Sequence, residues 1–319
     1  MRREFVDSLV ELAARDERIV LLTGDLGFAA LEPFIERFPD RFFNAGVAEQ
    51  NMVGVATGLA EAGFTPYVYS ISTFASMRPY EFIRNGPVLH GLPVRVVGIG
   101  EGVDYGHNGM THYALEDIAL MRAQPGLALI APADSAQVRP ALQAVQDLPG
   151  PAYIRLSKQS FAVPGLGDEF ELGRAQLLSA GEDAVIVAAG GTVATAVSCA
   201  ELLAEHGVSA GVLAVACISP PPVRDLIAAL SGVPLALSLE AHYVTGGVGS
   251  LVAEVIAEHG LSCRLIRAGV ESPLVGMSGT REYMHEQLGL SAERIAATLL
   301  RASTSPMNGQ KGFLPARGS

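Results

Sequence analysis

Two doubly wound α/β domains, a larger one followed by a smaller one, are what this sequence predicts. Short apolar segments alternate with helical stretches along most of the chain, the pattern of a parallel sheet covered by helices. The alternation breaks once, at a segment rich in Gly, Pro and charge around residues 160–181, and then resumes. A length of 319 residues is long for one domain and comfortable for two.

The elements follow in order. Apolar positions recur at helical spacing over residues 5–15, giving an amphipathic helix. The run IVLLTGDLG (19–27) reads as a buried strand entering a glycine turn. Further strands are expected at FFNAG (42–46), FTPYVYS (64–70), LPVRVVGIG (92–100), LALIAP (127–132) and PAYIRLS (151–157), with helices between most of them. This first domain is placed at residues 1–160 and a linker at 161–181. A second alternation spans 182–302: strands DAVIVAAGG, SAGVLAVAC, VPLALSLE and SCRLIRAG, with helices reaching His206, near Arg224 to Leu230 and after Gly249. Residues 303–319 are polar and rich in Gly and Pro, so a disordered tail is expected.

Composition narrows the function classes. The net charge is -11 and no Lys/Arg cluster appears, which argues against a nucleic-acid surface or an anionic membrane. Hydrophobic residues make up 49% and charged residues 17%, a balance that suggests extensive subunit contacts. Cys199, Cys217 and Cys263 lie far apart in apolar segments, without metal spacing or a disulfide framework, and read as buried thiols of a reducing cytoplasm. The first residues lack the apolar core of a signal peptide, and no segment is long enough to span a membrane.

The stretch Asn44 to Met52 carries the most chemistry. It sets one carboxylate, Glu49, immediately before the almost wholly apolar run MVGVATGLAEA, which is expected to be a core helix with its first turn at a cleft. Desolvated carboxyl groups titrate nearer neutrality, which suits an acid that shares or exchanges a proton; an acid stabilised by the helix dipole is the plainer alternative. Around Tyr105 to His112, Gly106 and Gly109 allow close backbone approach to a ligand, and His112 precedes a helical stretch whose first turns hold Glu116 and Asp117. Asp25 sits at the end of the first strand, where open α/β sheets place ligand residues.

Taken together these segments resemble the transketolase-like thiamine diphosphate enzymes. GVAEQ at 46–50 resembles the motif whose glutamate bonds a pyrimidine ring nitrogen of the cofactor and promotes the imino tautomer that generates the ylid, a role that falls to Glu49. The later segment is similar to the family's GxxGPTHxxxE pattern followed by R, P and PxD, matching Gly106, Gly109, Thr111, His112, Glu116, Arg122, Pro125, Pro132 and Asp134. The resemblance puts His112 over the thiazolium carbon as a donor to the substrate oxygen, with His107 at a variable position. It makes Phe74, in STF, the ring that stacks on the aminopyrimidine, with Tyr80 a further cofactor-facing aromatic and Asp25 an acid near the pyrimidine. Glu240 and His242, in the EAH-TGG-GS segment, resemble structural and interfacial residues of the family's C-terminal domain.

The likeness covers about residues 2–300 and matches the C-terminal half of a full-length transketolase. The GDG and distal Asn that bind metal and diphosphate are absent, so the resemblance implies a split enzyme. In it a diphosphate-binding partner subunit mainly holds Mg²⁺ (or Ca²⁺), no metal is held here, and the assembly is α2β2. Asn108 stands where many transketolases carry an aspartate that reads a sugar hydroxyl, Met110 replaces the proline before Thr-His, and Gly100 replaces a phosphate-binding histidine. Arg2 and Lys158 fall where the family contacts a substrate phosphate. The implied activity is transfer of a two-carbon ketol unit from a ketose, phosphorylated or not, to an aldehyde. The rivals are a beta-type subunit of a 2-oxoacid dehydrogenase, a deoxyxylulose-phosphate-synthase-like enzyme, and a noncatalytic assembly paralogue.

Overall fold

A computed structural model describes residues 1–304. The tail expected at 303–319 therefore lies outside the described residues from 305 on, and 303 and 304 close the last helix, Ala292–Thr304. In the first part of the chain the strands are β1 (Ile19–Thr23), β2 (Phe42–Asn44), β3 (Thr65–Ile71), β4 (Arg95–Ile99), β5 (Ala128–Ile130) and β6 (Ala152–Leu156). Then come β7 (Gln176–Ser179), β8 (Ala184–Ala188), β9 (Ala210–Ala214), β10 (Cys217–Ser219), β11 (Leu235–Tyr243) and β12 (Arg264–Val270).

The first sheet has the order β10-β5-β6-β4-β3-β1-β2 and the second the order β12-β11-β8-β9-β7. All pairings are parallel except the edge strands β10 on β5 and β7 on β9. Central strands β1, β3, β4 and β6 are buried on both faces, as expected of a parallel sheet with helices on each side. In register, Leu22 faces Val68, Val68 faces Val96 and Val96 faces Tyr153. One apolar cluster continues from these residues to Val185, Leu213 and Val248, so the two sheets share packing.

Four local features depart from expectation. The first helix spans Arg2–Ala13 and not 5–15, with Phe5, Val6, Leu9 and Ala13 buried. β1 stops at Thr23 because Asp25 (φ 59°) and Gly27 (φ 87°) turn the chain. The segment expected as a linker contributes β7, whose residues alternate half-buried and exposed as an edge strand does. The strand expected over 209–217 divides, since β9 ends at Ala214 and Cys217–Ser219 crosses to pair with β5 of the other sheet.

All three cysteines are buried and free. Burial pushes the Cys199 thiol up to about 12 and the Cys217 thiol to about 11, so neither is a nucleophile. Among the described residues no helix is long and apolar enough to cross a membrane.

Candidate active site

In the first sheet the strand order reverses between β1 and β3, and ligands of open α/β sheets settle in the crevice beyond the carboxyl ends of such strands. Three of the residues singled out above converge there. Glu49 is the first residue of the helix Glu49–Glu61 that follows β2, and it is 3% exposed. Phe74 lies in the short helix Ser72–Ser76 that leaves β3, and His112 in the turn Met110–His112 of the loop that leaves β4. The Phe74 and His112 rings meet edge to face, with centroids 5.1 Å apart.

The Glu49 carboxylate is buried but not alone. Arg78 Nη1 donates to Oε1 at 2.8 Å and to Oε2 at 2.9 Å, and the Ser70 hydroxyl lies 3.5 Å from Oε1. The same guanidinium sits over the Phe74 ring, its Cζ 3.9 Å from the centroid. Sequence reasoning missed Arg78, although it follows Phe74 by one helical turn, a spacing that brings two side chains to one face. Gly24 borders the carboxylate: a Cβ there would come to 3.6 Å from Glu49 Oε1.

The helix that Glu49 opens differs from the expected core helix. It buries Met52, Val53, Ala56 and Ala60 but leaves Gly54, Val55 and Gly58 exposed, with Phe82 packed beside Gly54 and itself 40% exposed. Small and apolar residues on every side are therefore explained by an open face as well as a buried one.

His112 is half-buried, and its Nδ1 lies 2.9 Å from the Thr111 hydroxyl. If that hydroxyl donates, Nε2 carries the ring proton and is free to donate outward. Beyond His112 stands Tyr105, with centroids 6.2 Å apart, and beyond Tyr105 the Lys158 ammonium, 4.7 Å from the ring centre. Burial raises the Tyr105 phenol above its ordinary pKa, so it stays a neutral donor. Lys158 in turn lines a cavity of about 710 Å³ together with Arg2, Arg3, Phe28 and Ser160. Arg2 and Lys158 are thus brought together, as one cationic end of a track that starts at Glu49. Tyr105 has no role that its motif alone discloses. Only the fold reveals its position, because its ring fills the space a side chain at Gly100 would take.

The remaining residues are placed as follows. Asp25 is exposed beside Asn44, whose side-chain amide donates to Asp25 Oδ1 at 3.0 Å and accepts from the Asp25 amide at 3.0 Å. Asn108 and His107 are exposed in the turn Gly106–Asn108. Tyr80 is tied at its hydroxyl, which donates to the Leu120 carbonyl at 3.1 Å and receives the Gln124 side chain, and its partly buried ring packs against the core. Glu240 accepts from the amides of Val248 (2.7 Å) and Gly249 (2.9 Å), and burial raises its pKa. His242 Nε2 accepts from the Ala119 amide at 3.3 Å, so its Nδ1 donates to the Tyr243 carbonyl at 2.6 Å. Both are structural contacts, one capping a helix and the other joining β11 to the helix Asp117–Arg122.

Two wound sheets, with an acid, an aromatic ring and a histidine at the crevice of the first, define an α/β protein whose candidate site lies at the ends of its parallel strands. The chain belongs to the transketolase family. The family's pyrimidine binding domain matches residues 1–163 and its C-terminal domain residues 173–295. It is 38% identical to the 6-deoxy-6-sulfo-D-fructose transketolase subunit SqwH of a Clostridium species, covering 92% of each chain. It is 34% identical to an apulose-4-phosphate transketolase subunit of Phocaeicola vulgatus, covering 94% of this chain and 96% of the relative. A solved structure described as a split gene transketolase, inactive beta4 tetramer, superposes with a TM-score of 0.86 at 34% identity, covering 95% of this chain and 98% of that one.

Proposed function

We propose that this chain is the pyrimidine-binding subunit of a two-component, thiamine diphosphate-dependent transketolase that moves a two-carbon ketol unit from a ketose, phosphorylated or not, to an aldehyde. The observation that carries this reading is the convergence of Glu49, Phe74 and His112 on one crevice of the first sheet. The residues suit the pyrimidine end of the cofactor: a buried carboxylate for a ring nitrogen, an aromatic face for the ring, and a glycine, Gly24, that lets a ligand come close. When bound, thiamine diphosphate supplies the electron sink for a carbanion left by cleavage beside a carbonyl.

The chain's own groups then have distinct tasks. Glu49 holds a proton between its carboxylate and the ring nitrogen, while Arg78 keeps the carboxylate fixed. His112 donates to the substrate oxygen where charge develops. Asn108 reads a sugar hydroxyl, Asp25 stands near the pyrimidine, and Arg2 and Lys158 meet the far, anionic end of the substrate. Tyr80, its hydroxyl held by Leu120 and Gln124, serves as a further aromatic on the cofactor side.

Mg²⁺ (or Ca²⁺) and the diphosphate require a set of oxygen ligands. Among the described residues no three His, Cys, Asp or Glu side chains cluster in a way that could hold a metal. A partner subunit with the diphosphate-binding fold meets that need. The open apolar face of Val55, Gly58 and Phe82 beside Glu49 supports a partner docked over the site, in an α2β2 assembly of the cytoplasm.

The test is reconstitution. Purified chain, a diphosphate-binding subunit and their mixture are assayed for ketol transfer and for thiamine diphosphate binding with Mg²⁺ present. Activity and tight binding are expected in the mixture alone, and transfer by the single chain would refute the two-component reading. Pyruvate in place of the ketose is the control for a deoxyxylulose-phosphate-synthase-like activity.

A further inference from the structure

The second sheet domain sends one segment back over the loop that carries the active-site residues. Residues 277–281 run alongside 104–113 and tie to them at three points. The Gly279 amide donates to the Gly106 carbonyl at 3.2 Å, and the Tyr113 hydroxyl lies 2.9 Å from the Met277 carbonyl and 2.8 Å from that of Gly106. A Cβ at Gly106 would overlap the Gly279 carbonyl, so the two backbones touch.

The third tie is ionic. Arg281 Nε lies 2.9 Å from Asp104 Oδ1, as an ion pair without the alignment of a hydrogen bond, and Nη2 lies 3.9 Å from Glu101 Oε1. The Asp104 side chain is 1% exposed and that of Arg281 15%. The other Asp104 oxygen accepts from the Ser157 hydroxyl and from the Lys158 amide, each at 2.8 Å. Asp104 therefore joins Arg281 on one side to the backbone of Lys158 on the other, and Tyr105 is its next neighbour in the chain.

We propose that Arg281 is a positioning residue for the anion-binding end of the substrate site. It neutralises Asp104 and thereby fixes Lys158 and Tyr105, whose ring and ammonium face each other at 4.7 Å. Without the cation, Asp104 and Glu101 stay buried with one positive charge fewer, Arg155 being the guanidinium left on Glu101 at 3.1 Å. The loop then relaxes to let water reach Asp104, and Lys158 moves with it. His112 is held by its own tie, through Tyr113 to Met277, and is spared. The assignment of the substrate end rests on the transketolase reading, while the clamp itself does not.

The test uses Arg281→Met, Arg281→Lys and Asp104→Asn in the reconstituted two-component enzyme, with a terminally phosphorylated aldose and its unphosphorylated counterpart as acceptors. Arg281→Met is expected to raise KM for the phosphorylated acceptor on the order of tenfold, leaving kcat for both acceptors and KM for the neutral one within about twofold. Arg281→Lys should regain most of the loss, and Asp104→Asn, whose neutral amide needs no countercharge, should restore KM when combined with Arg281→Met. Hydrogen exchange on the same complexes should show faster exchange of the Lys158 amide and of residues 104–107, with the strands of the first sheet unchanged. Equal KM losses for both acceptors, a fall in kcat with KM unchanged, or an unaltered Lys158 amide would overturn the proposal. A wild-type complex without ketol transfer would sink the transketolase reading instead, and the exchange data would then decide the clamp by themselves.

Discussion

The two sheets are wound alike, yet their ligand crevices are filled differently. In the first, the ends of β1 and β2 stay open: a side chain at Gly46 would meet nothing within 4 Å. In the second, the equivalent place between β8 and β11 is occupied by the protein's own carboxylates. Glu101, from the first domain, accepts from the Gly191 amide at 2.8 Å, where the helix Thr192–Glu205 begins. Glu240 accepts from two amides at the start of the helix Val248–Glu258. Both helix N-termini that could bind an anionic ligand are thus satisfied internally, and Cβ atoms at Gly190, Gly191 and Gly247 would overlap those carboxylates. Architecture alone does not make a site; whether the strand ends are left empty does. The filled crevice became a joint, with Arg155 buried between Asp117 and Glu101 and donating to the Ala114 and Ala241 carbonyls at 3.1 and 2.9 Å.

That contrast predicts that substitutions in the first crevice cost chemistry and those in the second cost stability. Glu49→Gln, which keeps shape but loses the acid proposed to share a proton, is expected to lower kcat on the order of 10³-fold without unfolding the chain. Steady-state kinetics beside a melting curve decides it, and a large fall in melting temperature would blur the contrast. His112→Ala should reduce kcat roughly 10²–10³-fold and leave thiamine diphosphate affinity nearly unchanged, since the partner proposed for it is the reacting oxygen. Parallel losses in both would make it a binding residue.

One acid-sensitive group of the second domain is a buried histidine. Burial holds His285 down at about 4, against an ordinary 6.5, so the folded chain resists a proton that the unfolded chain accepts. Its contribution, on the order of 3 kcal/mol, is fully present above pH 6.5 and is lost as pH falls toward 4. Urea unfolding at pH 7 and pH 4 should show that loss in the wild type and a smaller one in His285→Gln. The smallest effect is expected of Glu240→Gln, which sets an amide donor against one of two backbone donors and should cost about 1–3 kcal/mol with kcat unchanged. A fall in kcat without a fall in stability would mean that the second crevice takes part in the reaction.

Much of this was legible in the sequence because it depends on local order. Glu49 opens its helix where the apolar run begins, and Phe74 and His112 sit in motifs of fixed spacing. What the sequence hid depends on contacts between distant segments. Arg78 pairs with a residue 29 positions away, and Arg281 with one 177 positions away, from 281 - 104. Gly100 read as a missing ligand, whereas folding fills its space with Tyr105. The crossing of Cys217–Ser219 to the other sheet was equally hidden, since its apolar residues continue the run that forms β9. The Tyr80 hydroxyl was hidden in the same way, since it bonds to Leu120 of the helix Asp117–Arg122, 40 positions away.

Glu49 is the acid proposed to share a proton with the cofactor in the first crevice. The most direct measurement is exchange of the thiazolium proton for deuterium, followed by quenched-flow NMR in the reconstituted, cofactor-loaded complex of wild type and of Glu49→Gln. Rapid exchange in the wild type and exchange slowed to near that of free thiamine diphosphate in the variant is the predicted result. Equal rates in the two complexes would contradict it.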